Sequence, residues 1–168
     1  MILRAARFAE LDPATLYALL RLRVNVFVVE QACPYPELDG RDLEPGSVHL
    51  WLDNGDGPAA YLRILDEPAV VTAEPAVARI GRVCAAEPAV VRIGRVCTAI
   101  AHRGAGHSER LLTAALDLVG HRPCVVNAQS HLADFYARHG FRPTGPQFFD
   151  DGIPHLPMHR PPTAGAPT

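Results

Sequence analysis

Residues 92–108 of this chain run Arg92-Ile93-Gly94-Arg95-Val96-Cys97-Thr98-Ala99-Ile100-Ala101-His102-Arg103-Gly104-Ala105-Gly106-His107-Ser108, and they decide the fold. The first part is an apolar, strand-like run, and the second part is a glycine-rich turn. A helix pattern follows, with Leu111, Leu112, Ala115, Leu116 and Val119 on one side. Glycines let the backbone approach a ligand closely, and a helix N-terminus offers unpaired N–H groups. Strand, turn and helix together therefore predict a binding site for a phosphate.

The order of residues in the turn narrows the kind of phosphate site. Residues 103–108 have the order Arg-Gly-x-Gly-x-Ser after an apolar strand. The turn has neither the lysine of the phosphate loop in nucleotide hydrolases nor the third glycine of the dinucleotide fingerprint. A Gly-x-Gly pair alone would be weak evidence, because turns between strands and helices often contain glycine. A second segment is needed to identify the family.

That second segment follows the helix. Residues 124–129 have the pattern of a buried strand, and residues 132–141, which include Phe135 and Tyr136, have the pattern of a short helix closed by Gly140. Together with residues 92–108 they resemble the acetyl-CoA-dependent N-acetyltransferases of the GNAT superfamily. In that family an Arg/Gln-x-x-Gly-x-Gly/Ala loop binds the CoA pyrophosphate. A tyrosine in a Phe-Tyr-x-x-x-Gly-Phe helix lies near the thiolate.

Three further segments narrow the resemblance to the ElaA-like branch of this family. They are Leu22-Arg23-Val24-Asn25-Val26-Phe27-Val28-Val29-Glu30-Gln31, Glu37-Leu38-Asp39-Gly40-Arg41-Asp42 and Asp150-Asp151-Gly152-Ile153-Pro154-His155. The likeness spans residues 10–160. Ser108 stands where the family pattern has glycine or alanine. Serine is also small, and its hydroxyl can reach a phosphate oxygen or cap the helix, so CoA binding is still expected.

The resemblance implies a fold and a cofactor site. It implies an α+β fold whose central, mostly antiparallel sheet is splayed between its fourth and fifth strands and flanked by helices. The pantetheine arm of acetyl-CoA lies in that gap and bonds like an extra strand, and one N–H group of the fourth strand polarises the thioester carbonyl. The donor-binding residues implied are Val96, Cys97 and Thr98 on the strand, Arg103, Gly104, Ala105, Gly106, His107 and Ser108 in the loop, and Gln129 at the end of the fifth strand.

The resemblance also implies a general acid. Tyr136 would protonate the departing sulfur, although the alternative of a core aromatic residue stays open. The base that accepts a proton from the amine is not fixed by the sequence. Glu30 and His155 are the main candidates, and Asp39 and His49 are further ones. Glu30 could instead recognise a cationic amine, and a water chain could also accept the proton.

The predicted reaction is transfer of the acetyl group from acetyl-CoA to a primary amine by direct attack in a ternary complex, with a small molecule or a peptide as acceptor. Two alternatives are a non-catalytic CoA-binding module on the same scaffold and transfer of a longer acyl group. The acidic run of Glu30, Glu37, Asp39, Asp42 and Glu44 would suit a cationic acceptor, but a solvated acidic loop is the more common explanation.

Composition excludes several other classes of protein. The chain has 168 residues, 48% of them hydrophobic, which is enough to bury a core, and a formal net charge of −2, which favours neither nucleic acid nor an anionic membrane. Four cysteines without CxxC spacing predict buried thiols instead of disulfides or a metal site. With neither a signal peptide nor an apolar stretch of membrane-spanning length, we expect a cytoplasmic protein.

Local patterns predict the remaining elements. Asp12-Pro13 begins a helix, and the β-branched run 24–29 is either its end or a short strand; the resemblance favours helix. Residues 32–46 are expected to form a loop. Strands are expected at residues 2–8, 47–52, 59–65, 145–149 and 154–160.

A tandem repeat interrupts the pattern. Residues 72–84 recur as residues 85–97 with changes only at the first and seventh positions. We expect one domain over residues 1–160, with the first copy inserted before the fourth strand, and a frayed tail over 161–168. The alternative, in which the first copy pairs in the sheet, would displace the CoA loop. Two near-identical β-prone segments also favour strand exchange between molecules, so a homodimer is a further alternative.

Overall fold

The computed structural model describes residues 1–67 and 90–163, which form one mixed sheet with helices on both faces. The strands are β1 (Ile2–Arg7), β2 (Val48–Asp53), β3 (Pro58–Glu67), β4 (Val90–Thr98), β5 (Cys124–Gln129), β6 (Arg142–Pro143), β7 (Phe148–Asp150) and β8 (Ile153–Arg160). Their order is β1-β2-β3-β4-β5-β8-β6, with β7 paired to β8. The helices are α1 (Pro13–Val24), α2 (His107–Val119) and α3 (Ala133–Ala137). None of the helices in these two described ranges is long and apolar enough to cross a membrane.

The sheet is antiparallel except between β4 and β5. These two strands pair in parallel only at Val91 with Cys124 and at Arg92 with Val125. Beyond this point β5 pairs with β8 along its whole length, and β4 pairs with β3. The carboxyl ends of β4 and β5 are therefore left apart, as the splayed sheet predicted from the sequence requires.

A bulge in β4 changes the faces to which its side chains point. Arg63 of β3 faces Gly94, whereas Tyr61 faces Cys97, so β4 carries one extra residue here. Arg95 adopts a φ of 54°, a left-handed conformation that is uncommon for a residue with a side chain. Before the bulge Ile93 packs on one side of the sheet, and after it Cys97 packs on the other side.

Each face of the sheet has its own apolar core. The larger core joins the sheet to α2 and α3 through Leu111, Leu112, Ala115, Val119 and Tyr136, which pack on alternate residues of β2–β5. The smaller core joins it to α1 through Leu19, Leu22 and Val26, which pack on Trp51, Tyr61 and Cys97. The periodicity predicted for residues 111–119 identifies the buried face of α2.

The first helix begins and ends as its sequence indicates. The Asp12 carboxylate accepts hydrogen bonds from the N–H groups of Ala14 (3.0 Å) and Thr15 (2.9 Å), and Pro13 occupies the first helical position. The β-branched run continues the helix as a widened π turn over Asn25–Glu30, which confirms helix over strand. Such turns are rare and occur often at functional sites.

Two predicted boundaries are wrong. The strand expected at 145–149 begins only at Phe148, because Pro146 has no N–H to give to a ladder. The helix expected over 132–141 is limited to Ala133–Ala137 and is followed by Gly140 at a φ of 86°.

A partly buried cluster of three arginines and three carboxylates, here called the arginine–carboxylate cluster, fixes the loop after α1. Arg23 is fully buried and donates to Glu37 Oε1 (2.9 Å) and Asp42 Oδ1 (2.7 Å). Arg63 donates to the same oxygen of Asp42 (2.9 Å) and to Asp39 Oδ2 (2.6 Å). The sixth member, Arg95, donates to Asp39 (3.2 Å), and its Nε lies 2.9 Å from Glu37 Oε1, at an angle that makes an ion pair without a hydrogen bond.

For Glu37 and Asp42, this cluster corrects the explanation of the acidic run as a solvated loop. Glu37 is 3% exposed and Asp42 is 6% exposed, and arginines of the same chain neutralise them. Burial alone would raise the pKa of Asp39, but the hydrogen bond and charge of Arg63 lower it to about 2. Asp39 is therefore a structural ion, and it is removed from the candidate bases.

His49 is also removed from the candidate bases. It is 1% exposed, and its Nδ1 lies 2.7 Å from the hydroxyl of Tyr61 under α1. Burial lowers the pKa of His49, so the imidazole is neutral within the core. It does not line the main cavity described below.

The repeat falls partly inside the described residues. The end of the second copy forms β4, which continues through the turn Ile100–His102 into Arg103 and the glycine loop. The prediction for the first copy, residues 72–84, lies outside the described residues, as does that for residues 164–168 of the tail. Within the described part of the tail, Thr163 lies 3.0 Å from Nδ1 of His121 through its hydroxyl.

Candidate active site

A cavity of about 600 Å³ opens where β4 and β5 part. Its walls come from the π turn and the loop after it, from β4 and β5, from α3 and from the hairpin of β7 and β8. The site residues proposed from sequence that line it are Glu30, Val96, Cys97, Thr98, Arg103, Ser108, Gln129, Tyr136 and His155. Candidate donor-binding and candidate catalytic residues therefore meet in one place.

The glycine loop beside the cavity is shaped to expose backbone N–H groups. Gly104 and Gly106 have φ values of 79° and 73°, which only glycine adopts without strain. Gly104, Ala105 and Gly106 are exposed, and within the described residues no side chain caps the start of α2 at His107. The Ser108 hydroxyl lies 3.0 Å from that of Thr98 and ties the first turn of α2 to the end of β4. The arrangement provides N–H donors and a positive helix end for an anion.

The Arg103 side chain lines the mouth of the cavity. Its Nε donates to the carbonyl of Thr98 (3.1 Å), and its guanidinium forms an ion pair with Glu30 at the end of the π turn. One side chain therefore bridges the two sides of the opening.

The β4 wall offers backbone groups and no reactive thiol. Val96, Cys97 and Thr98 line the cavity after the bulge, where β4 has no partner on its β5 side among the described strands. Burial raises the pKa of the Cys97 thiol, so it stays neutral and is a poor nucleophile.

The β5 wall contributes two polar side chains. Gln129 donates from Nε2 to Gln31 Oε1 (3.3 Å), which links β5 to the loop after α1. Asn127 also lines the cavity, although the sequence analysis did not single it out. A signal existed, because Asn127 is a polar residue in an apolar strand and lies two residues before Gln129, on the same face.

Tyr136 is at the back of the cavity. It is 6% exposed, and its ring makes edge-on contacts with Phe135 and Phe141 at centroid distances of 5.1 and 5.7 Å. Burial raises the pKa of Tyr136 to about 12, so the phenol keeps its proton at neutral pH. The residue is thus part of the larger core, and its side chain also lines the cavity.

His155 lies on β8, across the cavity from the loop after α1. Its Nδ1 is 2.9 Å from the carbonyl oxygen of Ile153, and its ring stacks on Phe148 at 5.9 Å. A carbonyl oxygen only accepts hydrogen bonds, so Nδ1 carries the proton in the neutral ring and Nε2 keeps its lone pair.

One end of the cavity lies between the loop after α1 and the β7–β8 hairpin. Cys33 donates from Sγ to the carbonyl of Asp151 (3.3 Å) and joins the two segments. Tyr35 lines the same end, with the guanidinium of Arg95 5.7 Å from its ring centroid. No sequence pattern singles out Tyr35, since only the folded loop brings it to the cavity. Within the described ranges, no group of three or more metal-ligating side chains is present.

Comparison with known proteins agrees with this geometry. The family described as "Acetyltransferase (GNAT) domain" matches residues 60–161. The chain belongs to the GNAT family. It is 50% identical over 160 residues to a UPF0039 protein of Mycobacterium tuberculosis, covering 95% of this chain and 92% of the relative. It is 38% identical over 156 residues to ElaA of Escherichia coli, covering 90% and 91%.

Solved structures show the same fold. The crystal structure of Escherichia coli ElaA superposes with a TM-score of 0.79 at 36% identity, over 95% of this chain and 98% of that one. An acyl-CoA N-acyltransferase from Pseudomonas aeruginosa superposes with a TM-score of 0.75 at 40% identity, over 95% and 99%. The GNAT fold and the ElaA-like branch predicted from the sequence are both confirmed.

Proposed function

We propose that this GNAT acyltransferase moves the acetyl group of acetyl-CoA to a primary amine by direct attack in a ternary complex. One observation carries the proposal. The parting of β4 and β5 places the glycine loop, the free edge of β4 and Tyr136 around a single cavity. The acceptor is a small molecule or a peptide that enters between the loop after α1 and the β7–β8 hairpin.

The donor half of the proposal rests on backbone groups. The N–H groups from Gly104 to Ser108 and the positive end of α2 receive the pyrophosphate. The pantetheine arm then extends along Val96–Thr98, where β4 has no partner on its β5 side among the described strands. A β4 N–H group donates to the thioester oxygen as negative charge develops on it.

The chemical step needs one acid and one base. The neutral amine attacks the thioester carbon, the C–S bond breaks, and Tyr136 gives its proton to the departing sulfur. Its buried phenol is protonated at neutral pH, as this role requires. His155 is favoured over Glu30 as the base, because an imidazole nitrogen is a better general base near neutral pH than a carboxylate. The contact of Nδ1 with the carbonyl oxygen of Ile153 leaves Nε2 for the amine.

Acetyl-CoA is expected to raise the melting temperature of the protein, and a carboxylate placed in the loop is expected to reduce that shift by about half or more. Saturation to 100 times the Kd stabilises a protein by about 2.7 kcal/mol. Ala105→Glu adds an anion to an exposed loop position facing the pyrophosphate and should weaken binding at least about tenfold. Thermal melts with and without millimolar acetyl-CoA measure both effects.

Thr113→Glu is the matched control, because it adds the same charge at an exposed position of α2 beyond the loop. It should keep the ligand-induced shift, and both variants should melt like the parent without ligand. A parent protein that shows no shift at millimolar acetyl-CoA would contradict the proposed donor. An equal loss of the shift in both variants would contradict its placement at the loop.

His155→Gln is expected to lower kcat/KM about tenfold at pH 7 and to have little effect near pH 10. Alkyl amines are protonated at neutral pH, so a base is needed there and becomes dispensable when the free amine predominates. The measurement is the pH dependence of CoA release with an amine found by screening. His159→Gln, on the same strand but outside the cavity, should leave the profile unchanged. If Glu30→Gln gives this profile and His155→Gln does not, Glu30 is the base.

A further inference from the structure

The Arg103–Glu30 ion pair connects the donor end of the cavity to the acceptor end. Neither binding of the pyrophosphate by Arg103 nor binding of the amine by Glu30 would require this contact. Arg103 belongs to the loop at the donor end, and Glu30 ends the π turn at the acceptor end. The side chains are 47% and 29% exposed, so the pair lies at the mouth of the cavity, within reach of solvent. It joins the two substrate sites of a single reaction.

The second contact of Arg103 makes the position more informative. Its Nε donates to the carbonyl of Thr98, the last residue of β4. On the proposed function, the pantetheine arm runs past this carbonyl and the pyrophosphate lies at the loop from which Arg103 projects. Both partners of the guanidinium, Thr98 O and the Glu30 carboxylate, therefore stand where acyl-CoA must enter.

We propose that Glu30 is a positioning residue that holds Arg103 across the empty donor cleft and releases it when acyl-CoA binds. This inference rests on the proposed function. The pyrophosphate carries more negative charge than one carboxylate, so it replaces Glu30 as the partner of the Arg103 guanidinium. The pantetheine arm occupies the space beside Thr98. The Glu30 carboxylate is thereby left without its cation at the acceptor end, where it attracts a protonated amine.

The consequence is an order of binding. Before acyl-CoA enters, Arg103 neutralises Glu30 and repels a cationic acceptor. After acyl-CoA enters, the same carboxylate is free, so donor binding strengthens acceptor binding. By linkage, the acceptor must strengthen donor binding by the same factor.

The sign of the effect on donor affinity separates this role from others. A carboxylate that served only as base or acceptor ligand would leave CoA affinity unchanged when neutralised. A carboxylate that competes with the pyrophosphate for Arg103 must weaken CoA binding in the parent protein. Its removal therefore improves the binding of a substrate, which a purely structural role would not do.

The test is the Kd of CoA, measured by calorimetry for the parent and for Glu30→Gln, which keeps the shape and removes the charge. We expect Glu30→Gln to bind CoA about two- to fivefold more tightly at low salt, the range for a solvent-exposed ion pair, with the gain shrinking in 0.5 M salt. Glu44→Gln is the control, because Glu44 pairs with Arg41 at similar exposure outside the cavity. It should leave the Kd unchanged.

Arg103→Gln, alone and combined with Glu30→Gln, completes a double-mutant cycle. In that background Glu30→Gln should no longer tighten CoA binding, because the competing pair is already absent. If Glu30→Gln binds CoA with an unchanged or a larger Kd than the parent protein, the inference is overturned and the proposed function is unaffected. An equal gain with and without Arg103 also overturns it, since the effect would then be general charge repulsion. If the parent protein binds no CoA at all, the proposed function itself fails.

Discussion

Replacing Tyr136 with phenylalanine is expected to lower the turnover number by about one to two orders of magnitude or more, while the Kd of acetyl-CoA stays within a few-fold. The hydroxyl acts on the departing sulfur, so its interaction forms chiefly in the transition state. The ring keeps its contacts with Phe135 and Phe141, so the melting temperature should barely change. Steady-state CoA release and calorimetry on the same preparation measure these quantities.

Tyr17→Phe is the control for this experiment, since Tyr17 is 68% exposed on α1 and lies outside the cavity. Unaltered turnover in Tyr136→Phe would make Tyr136 a core aromatic residue and give the acid role to another group or to water. A joint collapse of affinity and stability would make the hydroxyl structural. A parent protein that binds CoA but releases none with any amine would support the non-catalytic binding module.

The strand, loop and helix from β4 to α2 could be predicted because their sequence information is local. Strand, loop and helix are contiguous from β4 to α2, and Gly104 and Gly106 signal the loop conformation that the structure has. The splay of the sheet is different, since it depends on where β8 inserts beside β5. Only the family resemblance indicated it.

Contacts between residues distant in sequence could not be predicted from local patterns. Arg103 and Glu30 are 73 positions apart, and Arg95 and the carbonyl of Glu37 are 58 apart. The sequence pattern favours a solvated acidic run, because no neighbouring residue indicates that Arg23 and Arg63 pack against it. The bulge that directs Arg95 to this cluster has no sequence signal of its own, since Arg95 carries a side chain at a positive φ.

Arg23→Met is expected to lower the free energy of unfolding by about 3–5 kcal/mol, the largest effect on stability that we predict. Methionine fills much of the same volume but leaves Glu37 and Asp42 without their fully buried cation. Removing one partner of a buried ion pair is costly, because the remaining charge stays desolvated. Urea unfolding at pH 7 measures the change. Arg4→Met, which removes a half-exposed partner of Asp53, should cost less than about 1 kcal/mol.

The pH dependence of stability gives this prediction a second readout. The pKa values of Asp39 and Asp42 are lowered in the folded protein, to about 2 for Asp39. Their contribution to stability is therefore present above the ordinary aspartate pKa of about 4 and is lost as pH falls through the lowered values. Arg23 holds Asp42, whereas Arg63 holds both carboxylates. Arg23→Met should therefore be destabilised at pH 7 and lose less further stability on acidification than the parent. Equal stability of the two proteins at pH 7 would mean that water enters the cluster and solvates the carboxylates. If both proteins lose the same free energy of unfolding on acidification, Arg23 does not set the pKa of Asp42.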